Sequence, residues 1–287
     1  MLTCLTTQNA TAVTTTDGAQ IASFRIGERE YIWPGTPEIW ADHTPILFPI
    51  IGGLKDGKTN IEGRPYEIRK HGFARYSIFE LVYASDTAVE YRLCMSEETY
   101  RSYPFDFVLT VKHRIFGSGF ETVYTVKNND VRPMPYCIGG HPGIMLGNYA
   151  DWTVVFDMEE DTQLYNVSKD GIFSEKLKAE KIVGKSLALN IPGLFDNGAL
   201  IARDIRSKRI VFEKNDKSEA IGLEYEDFDL LAFWTPVNKN APFVCAEPWC
   251  GMSPNDDETG NMEDKPFVKV LGPGESRSFA YRMNILK

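Results

Sequence analysis

The chain has 287 residues, of which 43% are hydrophobic and 25% charged, with a formal net charge of −9 at pH 7. That is the composition of an ordinary globule, long enough to bury a core without disulfide or metal staples. The acidic balance argues against nucleic acid and anionic membrane as partners, because both reward basic surfaces.

In chain order, Met1–Asn9 lacks the basic region and apolar run of an export signal, and no stretch reaches the length of a membrane span. A cytoplasmic location is expected. Trp33–Pro45 is irregular and rich in Pro and Trp; His43 lies in it with no evident partner. From Thr87 onward the dominant period is two. Thr87–Met95 alternates apolar and polar positions, and Glu97–Tyr100 reads as a single helical turn. Phe107–Phe116 and Phe120–Lys127 alternate on either side of Gly117-Ser118-Gly119, the signature of a hairpin. Further strands are expected at Trp152–Asp157, Arg209–Glu213 and Ser278–Leu286, and the stretch Ser253–Pro266 reads as an irregular acidic loop. Its Asn255–Gly260 segment lacks the alternate-position pattern of a calcium loop and reads as solvated surface. Five cysteines, Cys4, Cys94, Cys137, Cys245 and Cys250, are scattered with no Cys-x-x-Cys pair, so free thiols are expected rather than a zinc or redox site. Many short strands separated by turn residues, without repeat or linker, predict an all-β antiparallel sandwich or barrel in one domain over residues 1–287.

Three stretches carry candidate chemistry. Pro135–Gly143 contains Gly139-Gly140-His141-Pro142, an imidazole on a stiff, non-helical segment with room beside it. The plain alternative is a turn that happens to hold a histidine. His71-Gly72-Phe73-Ala74-Arg75 sets an imidazole and a guanidinium four residues apart, a pair suited to gripping hydroxyl oxygens. There the alternative is an arginine paired with an acidic neighbour. In Phe243–Gly251, Glu247 is the only charge in an apolar and aromatic run, so its pKa should rise toward the range of a general acid or base. A glutamate satisfying backbone donors at a strand end is the competing reading. His113, within an alternating strand, reads as structural or surface.

Together and in this order, His-Gly-Phe-Ala-Arg, Gly-Gly-His-Pro and Glu-Pro-Trp-x-Gly resemble the aldose 1-epimerase (galactose mutarotase) family, nearest its LacX-like branch. Pro45–Gly52, Tyr103–Phe107 and Phe233–Pro236 add to the likeness, which runs from about Trp33 to Gly251. The resemblance implies a large antiparallel β-sandwich of the galactose mutarotase type (a supersandwich) with a sugar cleft on one sheet. It also implies roles: His141 as general acid, Glu247 as general base, His71 and Arg75 as ligands of the sugar's oxygens. An acidic hydroxyl-binding residue is implied in Leu194–Leu200, with Asp196 the candidate.

Interconverting sugar anomers needs a proton delivered to the ring oxygen while another leaves the anomeric hydroxyl, with no cofactor or metal. The expectation is an acid and a base on opposite sides of the ring, with Trp234 and Trp249 either walling the sugar or packing in the core. A small-molecule aldose is the expected partner. Alternatives are a hexose-6-phosphate mutarotase and a non-catalytic carbohydrate-binding protein. Strand alternation would aim Arg69 with His71 and turn Lys70 away, leaving few cations for a phosphate and favouring a neutral aldose such as galactose or glucose. A glycoside hydrolase usually needs two carboxylates, and only one lies in a motif. A metal site from His71, His141 and Glu247 lacks a close ligand pair such as His-x-His.

Overall fold

The computed structural model describes residues 1–168, 171–255 and 257–287. Asp256, within the acidic loop singled out above, lies outside the described residues. The architecture is the expected large antiparallel β-sandwich of the galactose mutarotase type. A four-stranded sheet holds Leu2–Thr6, Ala10–Thr15, Ile21–Ile26 and Arg29–Glu30 in chain order, and a fifteen-stranded sheet carries most of the remaining chain.

Period-two patterning is the cause of most strands. Phe107–Phe116 buries every second side chain and pairs antiparallel with Gly119–Asn128 across a Gly117-Ser118 turn, the hairpin predicted from sequence. Ala88–Cys94, Arg209–Lys214 and Ser276–Ile285 also form where expected. Trp152–Val167 is longer than its alternating start suggested, with register shifts against Phe173–Ala188 that keep a sixteen-residue strand paired. The N-terminal residues, read only for the absence of an export signal, form the edge strand Leu2–Thr6. Glu97–Ser102 is a short helix whose start is fixed by a capping box between Ser96 and Thr99.

One expectation fails in the acidic loop. Glu258, within Asn255–Gly260, forms an ion pair of 2.6 Å with Lys265, their side chains 5% and 1% exposed, so part of that segment is tucked inside rather than solvated. Near-absence of water makes this pairing obligatory, since either charge alone would be buried without compensation. Cys137, Cys245 and Cys250 are buried free thiols, and burial pushes Cys137 and Cys250 up to about 12. Cys4 and Cys94 are exposed. Among the described residues no helix is long and apolar enough to cross a membrane.

The strand Phe243–Cys250 is buried at every position. It runs between Leu230–Trp234 on one side and two short strands, Ile138–Gly140 and Gly143–Met145, on the other. This is where two of the three chemistry-bearing stretches meet.

Candidate active site

The local register explains why a histidine and a glutamate far apart in sequence come together. Gly139 pairs with Trp249 and Gly143 with Cys245. Pro142 offers no backbone N–H, so the ladder breaks between the two short strands. Carrying the register across that break sets His141 opposite Glu247, and directly opposed residues of an antiparallel pair project from the same face. His141 Nε2 accordingly lies 3.2 Å from Glu247 Oε2. The glycine before this break is needed for space: a Cβ on Gly139 would come within 2.6 Å of Trp249 Cδ1.

The same face carries Trp249, Glu247 and, on the neighbouring strand, Trp234. With the other two motifs they line a cleft of about 370 Å³. Its walls include His71, Arg75, His141 and Glu247, together with Trp40, Tyr76, Trp234 and Trp249. Trp40 and Trp234 bracket the His141 ring at centroid distances of 5.0 and 5.3 Å, and the His71 ring stands nearly perpendicular to it at 5.9 Å. Sequence reasoning passed over Trp40. It sits in the Pro- and Trp-rich segment, held by the Trp33 indole N–H donating to the Trp40 carbonyl at 2.8 Å.

His71 and Arg75 reach the cleft by a route other than strand alternation. His71 has a φ of 64° and Gly72 one of 78°, and the Gly72 N–H donates to the Arg69 carbonyl, so these residues form a tight turn. Only glycine fits at position 72, where a side chain would collide with the Phe48 carbonyl. The His71 backbone N–H donates to Gly52 O at 2.8 Å and Gly52 N–H donates back to His71 Nδ1 at 3.2 Å. Nδ1 is therefore an acceptor, which leaves the proton of the neutral ring on Nε2. Arg75 lies in the single 3₁₀ turn Ala74–Tyr76 and pairs with Asp42. The arginine lines the cleft and also has the acidic neighbour of the alternative reading.

Two expectations are corrected. Because the backbone turns at His71, Lys70 lines the cleft, whereas Arg69 lies outside it with its guanidinium over the Tyr76 ring. Asp196 does not reach the site. Successive turns closed by Asp196 N–H to Gly193 O and Gly198 N–H to Phe195 O fold its carboxylate back over Gly193. It faces a separate cavity lined by Tyr149, Thr235 and Asn238, while Asn197, Gly198 and Ala199 border the cleft. His113 is structural: buried, bonded through Nδ1 to Thr122 Oγ1 and through Nε2 to the Ala19 carbonyl, and driven down to about 4 by burial. His43 has partners too, its Nδ1 lying 3.1 Å from the Trp33 carbonyl.

Burial sets the electrostatics of the pair. Glu247 and His141 are 1% and 6% exposed. Burial raises the Glu247 carboxyl well above its ordinary value, against the opposing pull of Arg75, Lys70 and the Trp249 indole. Burial, reinforced by the Arg75 charge, lowers His141 well below its ordinary value. His71 is lowered in the same way, by burial first and then by His141, Arg75 and Lys70. Both shifts disfavour charge and so favour a neutral imidazole beside a protonated carboxyl. Their approach is a contact, not a hydrogen bond, for Glu247 Oε2 has no hydrogen-bond partner among the described residues. His141 and Glu247 also lie side by side, whereas the expectation was an acid and a base on opposite sides of a sugar ring. Among the described residues, no group of three or more His, Cys, Asp or Glu side chains is arranged to hold a metal ion.

The aldose 1-epimerase family model matches residues 1–284. The plasmid-encoded protein LacX of Lactococcus lactis subsp. lactis is 29% identical over 283 residues, covering 94% of each chain. A galactose mutarotase related enzyme from Lactobacillus acidophilus superposes with a TM-score of 0.93 at 27% identity, covering 100% of this chain and 98% of that one. A galactose mutarotase-like protein from Lactobacillus casei gives a TM-score of 0.91 at 25% identity, with 99% and 100% covered. With that match running over nearly its full length, the chain belongs to the aldose 1-epimerase family.

Proposed function

We propose that the protein is an aldose 1-epimerase that interconverts the α and β anomers of a free hexose, with His141 and Glu247 as its acid–base pair. The observation that carries this reading is the 3.2 Å approach of His141 Nε2 to Glu247 Oε2 in an aromatic-walled cleft. The ring oxygen and the anomeric oxygen of a pyranose are bonded to the same carbon, closer together than any hydrogen-bonded pair. An acid and a base standing side by side therefore reach both. The protonated imidazole donates to the ring oxygen, the carboxylate takes the proton of the anomeric hydroxyl, and the C1–O bond of the ring opens to the aldehyde. After rotation about C1–C2, the carboxyl returns its proton to the carbonyl oxygen as the ring hydroxyl adds to the other face and gives its proton to the imidazole. The state after opening, neutral imidazole and protonated carboxyl, is the one that burial favours, so the chain itself stabilises the half of the cycle in which the sugar is open. His71 Nε2–H and the Arg75 guanidinium supply donors for hydroxyl oxygens, and Trp249, Trp234 and Trp40 offer apolar surface to the sugar's C–H face.

A second reading is supported by Lys70, which lines the cleft with Arg75 where Arg69 was expected and offers a phosphorylated hexose a cation. Polarimetry on fresh α-anomers of glucose, galactose and their 6-phosphates decides between the two. A neutral substrate is expected to be turned over by wild type and by Lys70→Ala at similar rates. A preference for the 6-phosphates that is lost in Lys70→Ala would establish the second reading. Binding of sugar without exchange of its anomers would instead make the protein a carbohydrate-binding module.

A further inference from the structure

Asp42 does not line the cleft, yet its carboxylate is bonded to Arg75, which among the described residues is the one arginine that does. Its own position is over-determined. Gln20, 5% exposed, donates from Nε2 to Asp42 Oδ1 at 3.3 Å, and its Oε1 accepts from the backbone N–H groups of His43 at 2.9 Å and Thr44 at 3.1 Å. One buried amide thus holds three consecutive residues. The turn bearing Gln20 is anchored from the large sheet by His113 Nε2 on the Ala19 carbonyl. It is anchored from the Arg75 segment by the Gly18 N–H donating to Ser77 O at 2.9 Å. At the other end of the chain of contacts, Arg75 is 8% exposed and its Nε has no hydrogen-bond partner among the described residues.

We propose that Asp42, braced by Gln20, is a positioning residue that holds the Arg75 guanidinium in the cleft, with its remaining donors turned to the substrate. The guanidinium carbon already stands 5.3 Å from the centroid of the half-exposed Tyr76 ring, so without Asp42 that outer contact is what remains to hold it. The carboxylate also offsets a cation beside a histidine and a glutamate that must exchange one proton. Without it, the charge of Arg75 would either leave the site or stand there uncompensated, and these two outcomes have opposite signatures.

The proposal rests on the reading of Arg75 as a sugar ligand, and its test has one arm with sugar and one without. In the first, Asp42→Ala and Arg75→Ala should each raise KM for the aldose that wild type turns over by about tenfold or more, with kcat less affected. The double variant should be no worse than Arg75→Ala, because a residue acting through another adds nothing once that other is gone. Additive losses in the double variant would overturn the proposal. In the second arm, the imidazoles are titrated by ¹⁵N NMR, which needs no activity. Arg75 and Lys70 face both His71 and His141, and Glu247 faces His141. If Asp42 tethers Arg75, Asp42→Ala should raise the His71 and His141 midpoints as Arg75→Ala does, with buried His113 unmoved as internal reference. Midpoints that fall instead would mean that Arg75 stays in place without Asp42, and the positioning role would be wrong. A wild type inactive on every aldose would remove the proposed function and leave the titration to decide this inference alone. Should Asp42→Ala fail to fold, Asp42→Leu, which fills the space of the side chain but offers the guanidinium no acceptor, gives the same titration reading.

Discussion

At the scale of single residues, the candidate site is a pair of groups that burial drives toward neutrality and that the proposed reaction would have to charge in turn. Glu247→Gln keeps the shape and removes the exchangeable proton; His141→Asn removes the imidazole. Each should lower kcat by roughly a hundredfold to ten-thousandfold, the usual worth of a positioned proton transfer. Because the two act as a unit, the double variant should be little worse than either, and stopped polarimetry on folded variants checks both statements. The pH dependence follows from the same shifts. The competent pair holds one proton. It gains a second below the lowered His141 value, which ends activity at acid pH below the ordinary 6.5, and loses its proton above the raised Glu247 value, well over the ordinary 4.5. A bell-shaped kcat/KM profile is expected, its acid limb displaced below 6.5 and its alkaline limb displaced upward from 4.5, with both limbs belonging to the pair. These residues were legible because each stands beside Gly, Pro or aromatics that are unusual neighbours for a charged group. Lys70 was misplaced because the backbone at His71 and Gly72 has positive φ and alternation does not survive such a turn, whereas Asp196 came from the resemblance and the turns at Gly193 and Gly198 carry it to another cavity.

At the scale of elements, the pairing of Ile138–Gly140 and Gly143–Met145 against Phe243–Cys250 determines whether the acid meets the base. Gly139→Ala tests this. Its methyl group meets the Trp249 ring at 2.6 Å and the Pro248 carbonyl at 3.0 Å, and backbone cannot swing aside as a flexible side chain does. The expected cost is about 1–3 kcal/mol in urea unfolding, as for other overpacked interiors. Activity should fall as well, because Trp249 and the register under Glu247 move together. Wild-type stability in this variant would show that the strands can separate without harm. The hairpin at Phe107–Asn128 was readable from its alternation and glycine turn. The strand Phe243–Cys250 was not, since burial on both faces erases the alternation and leaves only an apolar run. Trp40 escaped notice for a related reason: its segment has no regular structure, and only the fold lays it over His141.

For the whole molecule, buried imidazoles link stability to pH. His113 titrates near its ordinary 6.5 when unfolded and at about 4 when folded, so the unfolded chain binds the proton more readily between those values. Stability is therefore full above about 6.5, falls as the pH drops toward 4, and loses on the order of 3 kcal/mol to this one group. His71 and His141, also lowered by burial, add slope of the same sign. Urea unfolding from pH 7 to pH 4 should show this decline, shallower in His113→Gln; an unchanged slope would mean that the His113 proton is indifferent to folding. None of this linkage was visible in the sequence, where His113 was one polar position in an alternating strand.

The central claim is that this cleft exchanges sugar anomers through His141 and Glu247, and the most direct measurement is the rate at which fresh α-aldose approaches its equilibrium rotation. Wild type should accelerate that approach for at least one hexose, and Glu247→Gln, folded and still binding the sugar, should not. Equal acceleration by wild type and Glu247→Gln, or none by wild type on any free or phosphorylated aldose, would contradict it.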